Sequence, residues 1–106
     1  MATYFGLWKL NYSLPPPPTP QEQVKQQEAF DALLRAQLKS GRIREVHAFA
    51  EGGAGYFITG DVTDDEIFEE LAFWSPYVTF ELHKTIPFPK AGEIILKALR
   101  QRAGKA

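Results

Sequence analysis

The sequence contains no cysteine. It therefore offers no disulfide framework, no thiolate nucleophile and no cysteine-ligated zinc site. It also lacks an excess of charge, because 12 Lys and Arg residues against 13 Asp and Glu residues give a formal net charge of -1. Binding to a phosphate backbone depends on a basic surplus, so we expect no nucleic-acid partner.

The sequence also has no long hydrophobic run. No stretch approaches the roughly 20 apolar residues that cross a bilayer, so we expect no membrane partner. The start, MATYFGLWKLNYSL, is apolar, but no basic residue precedes the apolar run, and Lys9 and Asn11 interrupt it. A signal peptide has a basic start and an unbroken apolar centre, so we interpret this stretch as a strand of a cytoplasmic protein.

The sequence does contain a regular succession of strand and helix signals. Residues 3–12 alternate and are largely apolar on both faces, which is typical of a central strand. A capping box beginning at Thr19 starts the first helix, and Gly41 supplies the left-handed residue that ends it. The proline-rich segment 15–20 before this helix is either a rigid spacer or a wall over a nearby pocket.

The remaining predicted elements are, in order, two strands (43–51 and 55–61), a helix (64–74), a strand (78–86) and a last helix (90–103). Gly52 and Gly53 separate the two strands and permit the positive φ angles of a tight hairpin turn. A second capping box, beginning at Thr63, starts the middle helix. Pro76 breaks that helix because proline lacks an N–H group and clashes with the preceding turn.

Apolar residues at helical spacing predict the buried side of each helix. They are Phe30, Leu33, Leu34 and Leu38 in the first helix, Ile67, Phe68, Leu71 and Trp74 in the second, and Ile94, Ile95, Ala98 and Leu99 in the last. The stripe of the last helix is too apolar for a free tail. We therefore expect this helix to pack against its own domain or against a partner copy.

This order of elements predicts a single α+β domain over residues 1–106, of the ferredoxin-like, split βαβ type. Right-handed crossovers place four antiparallel strands in spatial order 4-1-3-2, with the first two helices on one face and the last helix as an addition. The other sheet face would expose some of Tyr4, Trp8, Phe49 and Tyr56. Such a patch is too apolar for a monomer, so we expect a homodimer or a higher even oligomer.

The helix-to-strand junction at residues 71–81, LAFWSPYVTFE, resembles the helix, proline-aromatic turn and strand of muconolactone-isomerase-like proteins in the dimeric α+β barrel superfamily. The likeness in order of elements covers residues 21–88, and the proline loop and the last helix depart from it. The resemblance implies two sheets packed face to face, in a small cofactorless or haem-using enzyme or a binding protein with a pocket between sheet and helices. No catalytic set matches residue by residue, so the isomerase activity does not carry over, and the sequence itself indicates no cofactor.

Two histidines are the candidate catalytic residues. His47 shares a strand face with Glu45 and Glu51, and His83 shares one with Glu81. An imidazole titrates near neutrality and a neighbouring carboxylate orients it, as proton transfer beside a carbonyl requires. The alternative is that both histidines are half-exposed strand residues making cross-strand polar contacts. A metal site from these groups has no ligand spacing in its favour, and we expect none.

A dimer would bring the two histidines together. If the second strand of one copy lies beside the fourth strand of the other, His47 with Glu45 approaches His83 with Glu81 across the interface. The result would be a shared acid–base cluster open to the aromatic pocket.

The candidate ligand-binding residues are Tyr4, Trp8, Tyr56, Trp74 and Tyr77. Tyrosine and tryptophan keep a polar donor when buried, so a pocket among them would bind a planar, partly polar molecule. The alternative is that these side chains form only the core and a dimer interface.

Two functions therefore remain open. One is a small-molecule binding protein or a cofactorless enzyme of isomerase, lyase or monooxygenase type, acting on an apolar or aromatic carbonyl compound. In that case His47, His83 and Glu81 serve as acid–base groups and tyrosine hydroxyls as oxyanion donors. The other is a non-catalytic structural or assembly module whose aromatic sheet face is only a dimer interface.

Overall fold

A computed structural model describes residues 1–104 of the chain. Its elements are β1 (Thr3–Leu10), α1 (Pro20–Ser40), β2 (Ile43–Ala48), β3 (Ala54–Thr59), α2 (Asp64–Trp74), β4 (Val78–Thr85) and α3 (Phe88–Gly104). The four strands form one antiparallel sheet in the order β2-β3-β1-β4. This is the predicted order counted from the other edge, so the α+β, ferredoxin-like split fold is confirmed. Strands β2 and β4 are the edges of the sheet.

The helix boundaries follow from the capping residues that the sequence supplies. The Thr19 hydroxyl accepts a hydrogen bond from the Glu22 amide at 3.1 Å, and Gly41 ends α1 with a φ of 83°. At the start of α2 the capping box is complete, because the Glu66 amide donates to the Thr63 hydroxyl at 3.1 Å and the Thr63 amide donates to the Glu66 carboxylate at 2.9 Å. These bonds satisfy amide groups that have no partner within the helix.

Strand β2 ends at Ala48 rather than at the predicted residue 51, because the β2–β3 connection is longer than a two-residue turn. Gly52 and Gly53 do adopt positive φ angles of 82° and 77°, as expected. However, the Phe49 amide donates to the Ala54 carbonyl oxygen at 2.8 Å, so β2 ends at Ala48 and the connection takes up residues 49–53.

The core lies between the sheet and the first two helices. Its buried apolar side chains are Ile43, Phe57, Val62 and Ile67. The ring of Phe57 lies over Gly6 on the neighbouring strand, where a Cβ atom would collide with it. Glycine is therefore required at position 6 by the close approach of this ring.

Two predicted stripe residues of the first two helices are not part of this core. Phe68 is 74% exposed and Leu38 is 39% exposed, so their assignment to buried stripes was wrong. Polar side chains are buried near them instead. Glu70, two residues after Phe68, and Gln37, one residue before Leu38, lie on the inward faces of their helices. A carboxylate and an amide are therefore buried inside the domain, and both belong to the candidate site.

Helix α3 leaves the rest of the chain. Among the described residues, no Cα atom of α3 comes within 8 Å of a Cα atom in another helix or strand. The radius of gyration is 18.6 Å, whereas a compact domain of about 100 residues has a radius of gyration of about 13 Å. The expectation that α3 packs against its own domain is therefore wrong for the single chain, and a contact with a partner copy stays a prediction.

Within residues 1–104, no helix combines the length and the apolar character needed to cross a membrane.

Candidate functional site

The two faces of the sheet have different surroundings. Directly paired residues of antiparallel strands share a face, so the register divides the sheet into two sets. Trp8 pairs with Gly55 and Phe80 on the side covered by α1 and α2, whereas Leu7 pairs with Tyr56 and Glu81 on the other side. No helix of the described chain covers this second side, which we call the open face.

A cavity of about 300 Å³ lies between the helix side of the sheet and the two helices. Its walls come from the sheet (Trp8, Leu10, Ile43, Val46, Phe57, Val78 and Phe80), from α1 (Gln27, Phe30 and Leu34), and from α2 and the turn after it (Glu70, Trp74 and Tyr77). The volume is at the lower end of the range for small-molecule sites, and an apolar wall with few polar groups is typical of such sites.

One wall of the cavity is a cluster of three aromatic rings. The ring of Phe30 lies 5.0 Å from that of Trp74 and 4.8 Å from that of Tyr77, measured between centroids, in tilted and edge-on arrangements. The turn after α2 positions Tyr77, because its amide donates to the Trp74 carbonyl oxygen and its own carbonyl oxygen accepts from the Asn11 amide, both at 2.8 Å. The cavity wall is thus held by backbone bonds on both sides of the turn.

Glu70 is the charged group of the cavity wall. It is only 6% exposed, and its carboxylate accepts hydrogen bonds from Gln37 Nε2 at 2.6 Å and from Trp74 Nε1 at 3.0 Å. Arg42 Nε stands 3.5 Å from the same carboxylate. A buried carboxylate is stable only when such partners compensate for lost hydration. Since a carboxylate has about four lone-pair sites, Glu70 can still accept a bond from a molecule in the cavity.

Trp8 is the second polar feature of the cavity wall. Its indole ring covers Gly55, where a Cβ atom would come within 2.5 Å of the ring. Its Nε1–H group is buried and has no hydrogen-bond partner among the described residues. An unsatisfied buried donor costs about 1–3 kcal/mol, which an acceptor that reaches this N–H would recover.

No known protein-family model matches this chain, and no curated protein is significantly similar to it. The candidate site is therefore assigned from the geometry of its own residues.

The structure divides the five predicted aromatic residues. Trp8, Trp74 and Tyr77 line the cavity. Tyr4 lies on the same sheet face as Trp8 but is not in the cavity wall, and Tyr56 lies on the open face, where its ring stacks on that of His47 at 4.9 Å. The open face accordingly lacks Tyr4 and Trp8, and its apolar centre is formed by Phe5, Leu7, Tyr56 and Ile58.

The candidate catalytic residues lie on the open face. His47 Nε2 is 3.2 Å from Glu45 Oε1, and His83 Nε2 is 3.2 Å from Glu81 Oε1. The two histidine side chains are 50% and 57% exposed. They stand on opposite edge strands, about 14 Å apart at the usual strand spacing, and they do not open onto the cavity of their own chain.

Glu70 and Gln37 were not recognised as site residues from the sequence, although a signal for each exists. Glu70 stands three residues after Ile67 and four before Trp74, inside the apolar stripe of α2. Gln37 stands three residues after Leu34 in the stripe of α1. A polar residue at a stripe position predicts a buried polar contact, and two facing stripes with one each predict that the two meet.

A metal site finds no support in the described part of the chain, which has no cluster of three or more His, Asp or Glu side chains suited to hold an ion. None of the prolines of segment 15–20 lines the cavity.

Proposed function

We propose that this protein binds a small, planar and largely apolar molecule in the cavity between the sheet and helices α1 and α2. The observation that carries the proposal is a cavity of about 300 Å³ whose wall is aromatic and aliphatic and includes the carboxylate of Glu70. A cavity that served only the core would be expected to fill with side chains, since protein interiors pack as densely as organic crystals.

The polar groups of the wall define the ligand further. Trp8 Nε1 supplies a donor, which suits a carbonyl or ether oxygen, and Glu70 supplies an acceptor, which suits a hydroxyl or N–H group. An aromatic compound that carries both a carbonyl oxygen and a hydroxyl group satisfies the two. Sites of this kind reject analogues that leave their buried polar groups unpaired.

A cofactorless enzyme uses the same site with one addition. Glu70 would then take a proton from the ligand and return it, while the Trp8 N–H group stabilises the charge that develops on the carbonyl oxygen. Isomerisation or lyase chemistry next to a carbonyl needs only these two roles.

Intrinsic fluorescence tests the binding directly, because both tryptophans of the chain line the cavity. Titration with 6-acetyl-2-naphthol, which carries a ketone and a hydroxyl group at opposite ends, should quench or shift their emission, and the hydrocarbon naphthalene should bind more weakly. Leu34→Phe, which fills the cavity, should weaken binding at least tenfold. The matched control is Leu38→Phe, outside the cavity wall on the same helix, and it should bind like the wild type. Equal binding by all three proteins would contradict the proposal.

We further propose that the open face joins two copies in a homodimer of the α+β barrel type. Its residues form two rows across the sheet: His47, Tyr56, Leu7 and Glu81 in one, and Glu45, Ile58, Phe5 and His83 in the other. A two-fold axis parallel to the strands places His47 opposite the partner's Glu81 and Glu45 opposite the partner's His83. Each row therefore faces the same row of the partner, with a histidine opposite a carboxylate at both ends and apolar side chains opposite each other in the middle. An isologous interface requires such self-complementarity.

Light scattering tests this dimer. The wild type should have at least twice the mass of the 12.0 kDa chain, and Leu7→Glu, at the centre of the open face, should lower that mass. Leu38→Glu on the outer side of α1 is the matched control and should leave the mass unchanged. A monomeric wild type at micromolar concentration would refute the dimer.

In such a dimer the histidine–carboxylate pairs form a shared acid–base cluster. If this cluster, rather than Glu70, carries the proton transfer, substituting either His47 or His83 by alanine should abolish turnover while changing the melting temperature little, because half-exposed strand residues contribute little to stability. Unchanged binding and turnover in both variants would leave the histidines with a structural role only.

A further inference from the structure

Helix α3 presents an apolar surface that nothing covers in the described chain. At 100° per residue, Phe88, Ile95 and Leu99 share the centre of a broad apolar arc, while Lys97 stands on the opposite side. The side chains of Ile95 and Leu99 remain 54% and 48% exposed. Most of the stability of a helix in a protein comes from the packing of its apolar face, so we expect this 17-residue helix to pack on a surface.

The charges of the chain are divided between α3 and the rest. Residues 88–104 hold four basic residues and one acidic residue, whereas residues 1–87 hold seven basic and twelve acidic residues. The helix is therefore positive by three charges and the body is negative by five. An anionic lipid surface would attract the helix but repel the body, whereas the body of a second copy attracts the helix.

The outer surface of the body contains a groove that suits an amphipathic helix. It lies between α1 and α2, has a volume of about 420 Å³, and is lined by Leu33, Ala36 and Phe73 together with polar residues that include Glu69. Phe73 is 49% exposed. Helix α2 carries five acidic residues and no basic residue, so the α2 side of the groove is negative. Arg42, the basic residue of its lining, already stands 3.8 Å from Glu69 and 3.5 Å from Glu70.

We propose that α3 of one copy lies in the α1–α2 groove of a second copy. Phe88, Ile95 and Leu99 would pack on Leu33 and Phe73, as in other helix-in-groove complexes. The cationic side chains that flank the apolar arc would extend toward the carboxylates of α2.

The proposed contact is separate from the open face. When two copies exchange their α3 helices, the contact is closed by a two-fold axis, and it can combine with a sheet-to-sheet dimer to give a tetramer. The inference therefore does not depend on the ligand proposed for the cavity.

Cysteine crosslinking tests the contact, because the natural chain has no cysteine. Copies with Ala36→Cys, in the groove, are mixed with copies carrying Ala98→Cys, in the apolar arc, and oxidised. A mixed disulfide product at twice the 12.0 kDa chain mass is expected. The control pairs Ala36→Cys with Lys97→Cys, on the polar side of α3, and should give at least tenfold less product. Equal crosslinking of the two pairs, or none in either, would overturn the proposal.

Sedimentation of the full chain provides a second test that does not depend on thiol chemistry. Ile95→Glu should give a smaller assembly than the wild type while each chain still folds, because α3 contacts no other element of its own chain. Leu7→Glu on the open face should leave the Ala36–Ala98 crosslink intact, which separates a failure of this contact from a failure of the sheet dimer. Identical sedimentation of Ile95→Glu and wild type would overturn the proposal. So would a monomeric wild type that instead binds phosphatidylserine vesicles through α3.

Discussion

Replacing Glu70 by leucine should destabilise the protein by about 3 kcal/mol. The change removes the shared acceptor of two buried donors, Gln37 Nε2 and Trp74 Nε1, and each unsatisfied donor costs about 1–3 kcal/mol. Loss of the Arg42 contact adds less, because the Arg42 side chain is 25% exposed and solvent screens such pairs. The leucine side chain restores part of the lost free energy of unfolding through apolar contact with the cavity wall.

Urea unfolding followed by circular dichroism at pH 7 measures this loss. A matched control is Glu69→Leu, the same change one residue earlier at a side chain that is 76% exposed, which should alter stability by no more than about 0.5 kcal/mol. For a domain of this size, 3 kcal/mol corresponds to a drop of about 12–24 °C in melting temperature.

A double-mutant cycle identifies the source of the loss. In a Gln37→Leu background no Gln37 amide is left without an acceptor, so Glu70→Leu should cost at least about 1 kcal/mol less than in the wild type. Strictly additive costs, or a Glu70→Leu protein as stable as the Glu69→Leu control, would refute the assignment of Glu70 as the compensated charge of the cavity wall.

Two further predictions concern the fold that holds the site. Gly6→Ala should destabilise the protein by about 1–3 kcal/mol in urea unfolding, because the new methyl group overpacks against Phe57. Adding Phe57→Leu in the same chain should recover part of that loss. A double variant as unstable as the sum of the two single variants would contradict the close approach of the ring to Gly6. Hydrogen bonds with the Thr63 amide and side chain hold the pKa of Glu66 below its ordinary value of 4.5. The ionised Glu66 therefore contributes its full stabilisation of the fold above that pH, and the contribution is lost as the pH falls through the lower folded-state pKa. The stability difference between wild type and Glu66→Gln should therefore shrink below pH 4.5, and a difference that is constant with pH would contradict the capping role.

The strand order, the N-cap threonines of α1 and α2, and the division of strand residues into two alternating sets could be predicted from sequence because local chemistry sets them. Period-two alternation places Trp8 and Leu7 on opposite faces of the sheet, and Thr63 with Glu66 fixes the start of α2. The alternation does not say which of the two faces the helices cover, and the reciprocal bond predicted between Glu22 and the Thr19 amide is not formed. The cavity could not be predicted in this way, since its volume depends on how far α1 and α2 stand from the sheet.

The polar centre of the site was missed for a related reason. Glu70 and Gln37 are polar by type and were therefore left out of the apolar stripes, although both stand at stripe positions and pair across the two helices once these are packed. The opposite error occurred at Phe68, whose apolar side chain fits the α2 stripe by type but lies outside it by angle. Similarly, the apolar stripe of α3 indicates that the helix is covered, but not by which surface.

The central claim, that the cavity between the sheet and helices α1 and α2 is a binding site, is tested most directly by isotope-filtered nuclear Overhauser spectroscopy of the protein with 6-acetyl-2-naphthol. We expect contacts from the ligand protons to Phe30, Val46 and Phe80, which line this cavity from three different elements. Contacts to Phe5 on the open face or to Leu99 of α3 in their place would mean that the probe binds an exposed apolar surface, and would contradict the claim.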